Sequence, residues 1–241
     1  MGTVQQGGSG EQPASPDDRL AAATVDCALV PLFRGRFCDV LLPDRAAVLF
    51  DEDDVIYELG DDDRVLFFIR DGLVKTGTIT SQGREIIYDI RKSGDVVGEL
   101  CALESVRRDR AVALARTEAV AVRFDEVVDV LAGRPALLRE FTQVLCNALS
   151  EAYAQVNSLA DDDVMQRLVN VLLNLAGKFG RPLGECVEIG TYLTQEELSQ
   201  MVVARRERVS TALNSLRRRG IVHYSPRGHL RVDVARLRDG A

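Results

Sequence analysis

Between about residues 36 and 124 the chain alternates polar breaks with short runs of aliphatic, aromatic and β-branched residues, such as VLFFI at 65–69 and EIIYDI at 85–90. The breaks are Gly60-Asp61-Asp62-Asp63, Asp71-Gly72, Gln82-Gly83 and Ser93-Gly94-Asp95, residues that supply the backbone freedom or side-chain hydrogen bonds of tight turns. A turn about every 11 to 12 residues predicts an antiparallel sandwich or roll and not a βαβ alternation. Beyond Pro135 the period changes. Apolar residues recur at Leu138, Phe141, Leu145, Leu149, Ala152, Val156 and Leu159, always three or four apart. This predicts a helix over 135–160 of ~37 Å, long for packing within a small domain and suited to a helix–helix dimer seam, with another face left to pack on the β module. Asp161-Asp162-Asp163 then interrupts the stripe as a hinge and cap. The helix it opens carries Val164, Leu168, Val171, Leu172 and Leu175 and is expected to stop at Gly177 and Gly180.

From Leu193 the chain reads LTQEELSQMVVARRERVSTALNSLRRRGIVHYSPRGHLRV. Thr194 with Glu197 three residues later is a capping box, opening a short helix with Leu198, Met201 and Val202 inward. A three-residue connection at about Val203 to Arg205 leads to a second helix buried through Val209, Ala212, Leu213 and Leu216. That spacing predicts a helix-turn-helix. Gly220 ends the second helix, and IVHY, the turn Ser225-Pro226-Arg227-Gly228 and HLRV form a wing hairpin.

Composition changes this picture little. At 46% hydrophobic and 28% charged, the 241 residues describe two globular modules and not a disordered chain. The first 18, rich in Gly, Ser, Gln and Pro, read as a flexible arm. No run approaches the roughly 18 apolar residues of a membrane span, and the opening lacks the basic start and apolar core of a secretory signal, so a cytoplasmic location is expected. Five cysteines without a CxxC pair argue against a disulfide framework, and Cys27 and Cys38 lie too far apart to suggest a cluster site. His223 and His229 flank the wing turn with no metal-ligating or catalytic company. No enzyme is indicated.

Charge changes it more. The net −7 hides an asymmetry: residues 190–241 hold ten arginines against five acidic residues, +5, which leaves −12 on the other 189. A basic module on an acidic body points to phosphate binding. The second helix of the module would present Arg206, Glu207, Ser210 and Thr211. Arginine can fork onto guanine and glutamate can accept from cytosine, so Arg206 and Glu207 are candidate base readers in a major groove. Thr194, Arg205, Ser210, Ser225 and Arg227 are candidate phosphate contacts.

The segment GDVVGELCALESVRRDRAVALARTEA, residues 94–119, holds Gly98-Glu99-Leu100 followed by Arg110-Ala111. It resembles the phosphate-binding cassette of cyclic-nucleotide-binding domains. A glycine lets the backbone N–H groups of a short helical turn approach an anion, and an arginine forks onto the phosphate. With the strands, the long helix and the winged helix-turn-helix, the chain from about 36 to 235 resembles the cyclic-AMP receptor protein and fumarate–nitrate regulator (Crp/Fnr) superfamily of bacterial transcription factors.

The resemblance implies an α+β chain: an N-terminal antiparallel β-roll (19–134, after the arm 1–18), a dimerisation helix (135–160) and a C-terminal winged helix-turn-helix (161–241). It implies a homodimer on an inverted repeat of double-stranded DNA, acting through RNA polymerase. The roll would hold an anionic effector, cyclic AMP, cyclic GMP or a cyclic dinucleotide, at Gly98, Glu99, Leu100, Cys101, Arg110 and Ala111, with Ala152 and Tyr153 of the long helix against its base. Four departures stand out. Ala111 replaces the serine of bacterial cyclic-AMP receptors, and the Gly98 to Arg110 interval is about one residue longer than the common one. Ala152 and Tyr153 stand where Thr and Ser would bond adenine. The reading triad Arg-Glu-x-x-x-Arg becomes Arg206-Glu207-x-x-x-Thr211, implying a TGTGA-like half-site altered at one base pair. An effector-independent regulator with a degenerate pocket and a cyclic-nucleotide-controlled signalling subunit are the alternatives.

Overall fold

The structure, a computed structural model, describes Leu42 and residues 45–191, 193–224 and 229–239, with Tyr224 by its backbone alone. The expected arm, Cys27, Cys38 and the wing turn with Ser225 and Arg227 lie outside the described residues.

Among the described residues the first module is an antiparallel roll of eight strands: β1 (Val48–Phe50), β2 (Val55–Tyr57), β3 (Val65–Asp71), β4 (Leu73–Ile79), β5 (Glu85–Lys92), β6 (Val96–Val97), β7 (Arg110–Ala113) and β8 (Thr117–Arg123). They form two four-stranded sheets, in the orders β1-β8-β3-β6 and β2-β7-β4-β5. The chain crosses between the sheets at Gly72, whose φ of 104° favours glycine and where a Cβ would collide with Thr117. Ile56, Tyr57, Ile69, Val74, Val97 and Ala111 fill the space between the sheets.

Helix α1 (Phe124–Ala132) follows β8 directly and buries Val127 and Leu131. No expectation covered it. Helix α2 (Pro135–Asp161) starts with proline in its first turn and presses Leu137, Phe141 and Val144 onto the roll beside Leu66, Phe68 and Val122. Of the predicted stripe, Phe141 joins the roll. Leu138, Leu145, Leu149, Ala152, Val156 and Leu159 remain exposed along another face, 27 residues of helix, roughly 40 Å.

The acidic triplet is a braced corner. Asp163 caps helix α3 (Val164–Phe179) by accepting from the Gln166 amide at 2.9 Å, while Asp162 accepts from Ser158 Oγ at 2.5 Å and Asn170 Nδ2 at 2.9 Å. Helix α3 does not stop at Gly177. It runs on because Leu175 and Lys178 are buried contacts of its last turn, and burial outweighs the roughly 1 kcal/mol a helical glycine costs.

Strands β9 (Gly180–Leu183) and β10 (Cys186–Ile189) follow, then α4 (Gln195–Val202), α5 (Arg206–Arg218), β11 (Val222–Tyr224), β12 (Leu230–Val232) and α6 (Val234–Arg238). The wing is therefore no isolated hairpin: β11 and β12 continue into β10 and β9 as one four-stranded sheet. Leu168, Leu172, Leu175, Leu198, Val209, Leu213 and Leu216 form the core of this second module, and Ile87 and Ile90 of β5 belong to the same cluster. The roll is docked on the helix-turn-helix through β5.

Candidate nucleic-acid interface and effector cassette

The helix-turn-helix is built by local chemistry. Thr194 Oγ1 accepts from the Glu197 amide at 3.1 Å, and Glu197 Oε2 accepts from the Thr194 amide at 2.7 Å, the two halves of a capping box. Thr194 Oγ1 also donates to Glu197 Oε2 at 2.8 Å. The hydroxyl expected on a DNA phosphate is thus committed within the cap. Val203 turns the chain between α4 and α5 with φ 53° and ψ 46°, a left-handed conformation unusual for a β-branched residue.

Helix α5 buries Val209, Ala212, Leu213 and Leu216. The 100° advance per residue then sets Glu207, Thr211, Asn214 and Arg218 along the opposite side, flanked by Arg206 and Arg217. All six are exposed, as is Arg205 at the N-cap, whereas Ser210 is half-buried. Asn214 and the two C-terminal arginines carry no expectation from the sequence. Asn214, Arg217 and Arg218 line, with Val222 and His223, an open groove of about 600 Å³ between the end of α5 and the wing. The feature that marks them is the same 3.6-residue stripe, followed one turn further.

The cassette is arranged otherwise than expected. Gly98 has φ 93° and precedes the 3₁₀ turn Glu99–Ala102, as an anion-cradling turn requires. Arg107, however, occupies its surroundings. The Arg107 side chain is fully buried, donates to the Gly98 carbonyl at 3.0 Å and the Val65 carbonyl at 2.5 Å, pairs with Asp63 and stacks 4.1 Å from the centre of the Tyr57 ring. A Cβ at position 98 would lie 2.6 Å from Arg107 Nη1.

Strand β7 explains where Arg110 goes. Side chains alternate across a strand, and Ala111 faces the roll interior with Tyr57 and Val97. Arg110 therefore faces the other side of the sheet, where it pairs with Glu58 at 3.1 Å and Glu85 at 3.3 Å. Glu85 in turn accepts from Gln200 of α4 at 3.1 Å. Arg110 therefore does not converge with Gly98 and Glu99 as expected, because the alternation of β7 gives it to Glu58 and Glu85. The inward position beside Ala111 belongs to Asp109, 6% exposed, which accepts from the Tyr57 hydroxyl at 3.0 Å. Burial, with the charge of Glu99 adding to it, pushes the Asp109 carboxyl up to about 6 against the pull of the Tyr57 hydrogen bond. Burial likewise drives the Tyr57 phenol upward.

The other expected ligand residues scatter. Leu100 is exposed, whereas Cys101 packs into the core beside Phe68 and Val122, its thiol pushed up by burial. That makes Cys101 structural. Ala152 and Tyr153 are both exposed on α2, Tyr153 at 62%. Glu99 binds Arg91 at 3.0 Å, Arg91 pairs with Asp89 at 3.0 Å, and Asp89 pairs with Lys178 at the end of α3, 4.0 Å from Glu151 of α2. Burial opposes the Arg91 charge, but Glu99, Asp89 and Asp95 more than offset it and its pKa is raised. A continuous line of charges thus joins the cassette to both long helices. Among the described residues no group of three or more His, Cys, Asp or Glu could hold a metal ion, and no helix is long and apolar enough to cross a membrane.

Comparison with known proteins agrees with this architecture. Residues 47–134 match the family model described as "Cyclic nucleotide-binding domain" and residues 166–239 the one described as "Crp-like helix-turn-helix domain". A "CRP-like cAMP-activated global transcriptional regulator" of Mycobacterium tuberculosis is 32% identical over 173 residues, 71% of this chain and 77% of the relative. The chain belongs to the Crp/Fnr superfamily of transcription regulators. This regulator is also 27% identical over 197 residues to a "Global nitrogen regulator" of Synechocystis, covering 80% of this chain and 87% of the relative. Its fold is that of FixK2 from Bradyrhizobium japonicum, with a TM-score of 0.70 at 20% identity over 81% of this chain and 96% of that one. It is a DNA-binding transcription regulator of α+β fold, not an enzyme.

Proposed function

We propose that the regulator reads an inverted repeat as a homodimer held by the exposed face of α2, with one α5 in the major groove of each half-site. Arg206 and Glu207 read neighbouring base pairs. Arg205 and Ser210, together with Ser225 and Arg227 of the wing turn, hold phosphates. Thr194 stands at the edge of this surface as a cap. Transcription then changes through contact with RNA polymerase in the cytoplasm. The observation that supports this best is the exposed stripe of α5 lying opposite four buried residues of the same helix. Arg206→Ala is expected to cost roughly 1–3 kcal/mol on the selected operator and to relax specificity at one base pair per half-site. Equal losses on operator and random duplex, measured by fluorescence anisotropy, would reduce Arg206 to a phosphate contact.

A second reading concerns the effector. The cyclic-nucleotide-binding family model and the cyclic-AMP-activated relative support a cyclic nucleotide in the roll; cyclic AMP, cyclic GMP or a cyclic dinucleotide would then lie at Gly98, Glu99, Leu100 and Ala111. The residues present fit a cyclic phosphate poorly. Arg110 is turned away and paired, Arg107 has its own acceptors, and Asp109 adds a carboxyl where an anion would come. These observations favour a roll that sets the positions of α4 and α3 without a nucleotide, through Glu85 with Gln200 and Asp89 with Lys178. Calorimetry with the three nucleotide classes is expected to give no heat, and the unliganded protein is expected to footprint its operator. Saturable binding lost in Arg107→Ala would restore the nucleotide.

A further inference from the structure

The sequence replaces the second arginine of the reading triad with Thr211, and the structure gives that threonine a specific chemical state. Thr211 is exposed on α5, one turn beyond Glu207, in the stripe that continues to Asn214 and Arg218. Its hydroxyl is not offered outward: Oγ1 donates to the Glu207 carbonyl, one turn back, at 2.8 Å. Threonine in a helix does this readily, because the i−4 carbonyl lies within reach of one of its two favoured rotamers. With the oxygen drawn back onto the helix and its proton used, the branch left to solvent is the methyl group. Asn214, one turn further, and Glu207, one turn before, flank it with polar groups.

We infer that Thr211 is a specificity-determining residue whose methyl recognises the C5-methyl of a thymine in the major groove. The proposal rests on α5 being the helix that enters that groove. Two features favour thymine over the other bases. Threonine is several atoms shorter than arginine and turns a methyl outward, and the apolar partner a base edge offers a threonine methyl in the major groove is the C5-methyl of thymine. Its hydroxyl proton is already given to Glu207, so it cannot donate to guanine O6 or N7 without breaking an existing bond. The altered base pair of the half-site is therefore an A·T pair with its thymine facing Thr211.

The test uses the full-length chain and the operator it selects from random duplexes. Each thymine of one half-site is replaced singly by deoxyuridine, which deletes only the methyl, and affinity is read by fluorescence anisotropy. Wild type is expected to lose roughly three- to fivefold at one position and little elsewhere. Thr211→Ser, which keeps the hydroxyl and removes the methyl, is expected to bind thymine and deoxyuridine operators equally at that position. Thr211→Val, which keeps the methyl and removes the hydroxyl, is expected to retain the wild-type discrimination. If no thymine methyl matters to wild type, or if Ser keeps the discrimination and Val loses it, the methyl assignment is overturned while the groove-entering helix stands. A chain that selects no sequence at all removes the helix assignment and this proposal together.

Discussion

Asp109 shows how one buried atom group can set both chemistry and stability. Its carboxyl ordinarily titrates at 3.8 and is pushed up to about 6 in the folded protein by burial and by Glu99. The folded state therefore holds the proton more tightly than the unfolded chain. The stability this contributes is fully present below about pH 4 and is lost as pH rises through about 6. Asp109→Asn cannot ionise. Its stability relative to wild type is expected to be roughly 3 kcal/mol greater at pH 8 than at pH 3.5, the equivalent of about two pKa units. Thermal melts of both proteins across that range provide the comparison, and a difference independent of pH would mean that the carboxylate is well solvated when folded. Arg107 belongs to the same inward face. Its side chain lies buried over the Tyr57 ring and donates to the Gly98 carbonyl, so it packs the corner of the roll at the 3₁₀ turn.

At the scale of elements, what the sequence discloses depends on whether an element is defined by its own period or by its neighbours. The long helix, the capping box, the three-residue turn and the buried side of α5 are written in local spacing, and each can be read from the chain alone. Strand β7 is different. Which of Asp109, Arg110 and Ala111 points inward is decided by register against β2 and β4, where Ala111 lies opposite Tyr57 and Thr76. A shift of one residue exchanges the two faces of a strand. The Gly98 to Arg110 interval, about one residue longer than the common one, is the trace of that shift in the sequence. Helix α1 lacks a side-chain cap at Arg123, and β9 carries Pro182 on a sheet edge, so neither announces itself. The capping box supplies its own prediction. Thr194→Ala is expected to lower stability by about 1 kcal/mol while leaving operator affinity per folded molecule unchanged. Chemical denaturation and anisotropy on the same samples separate the two, and a loss of affinity without a loss of stability would return Thr194 to the phosphate backbone.

The whole molecule places its two modules against one another through β5. Ile87 and Ile90 enter the core of the DNA-binding module, Glu85 meets Gln200 of α4, and Asp89 meets Lys178 of α3. The positions of α3 and α4, on which α5 packs, are therefore tied to the roll by packing and charge together. Along α2, Leu145, Leu149, Val156 and Leu159 form an apolar face that is exposed among the described residues, of the length a paired helix would need. A two-fold axis along that face would present two copies of α5 to one side of a duplex, spaced by a helical turn. Selection from random duplexes by the purified full-length chain, without added nucleotide, measures this directly. The expected result is enrichment of an inverted repeat with half-site centres about 10 base pairs apart, each half carrying one Arg206-dependent position. Enrichment of a single unrepeated site, or of no sequence, would contradict the account.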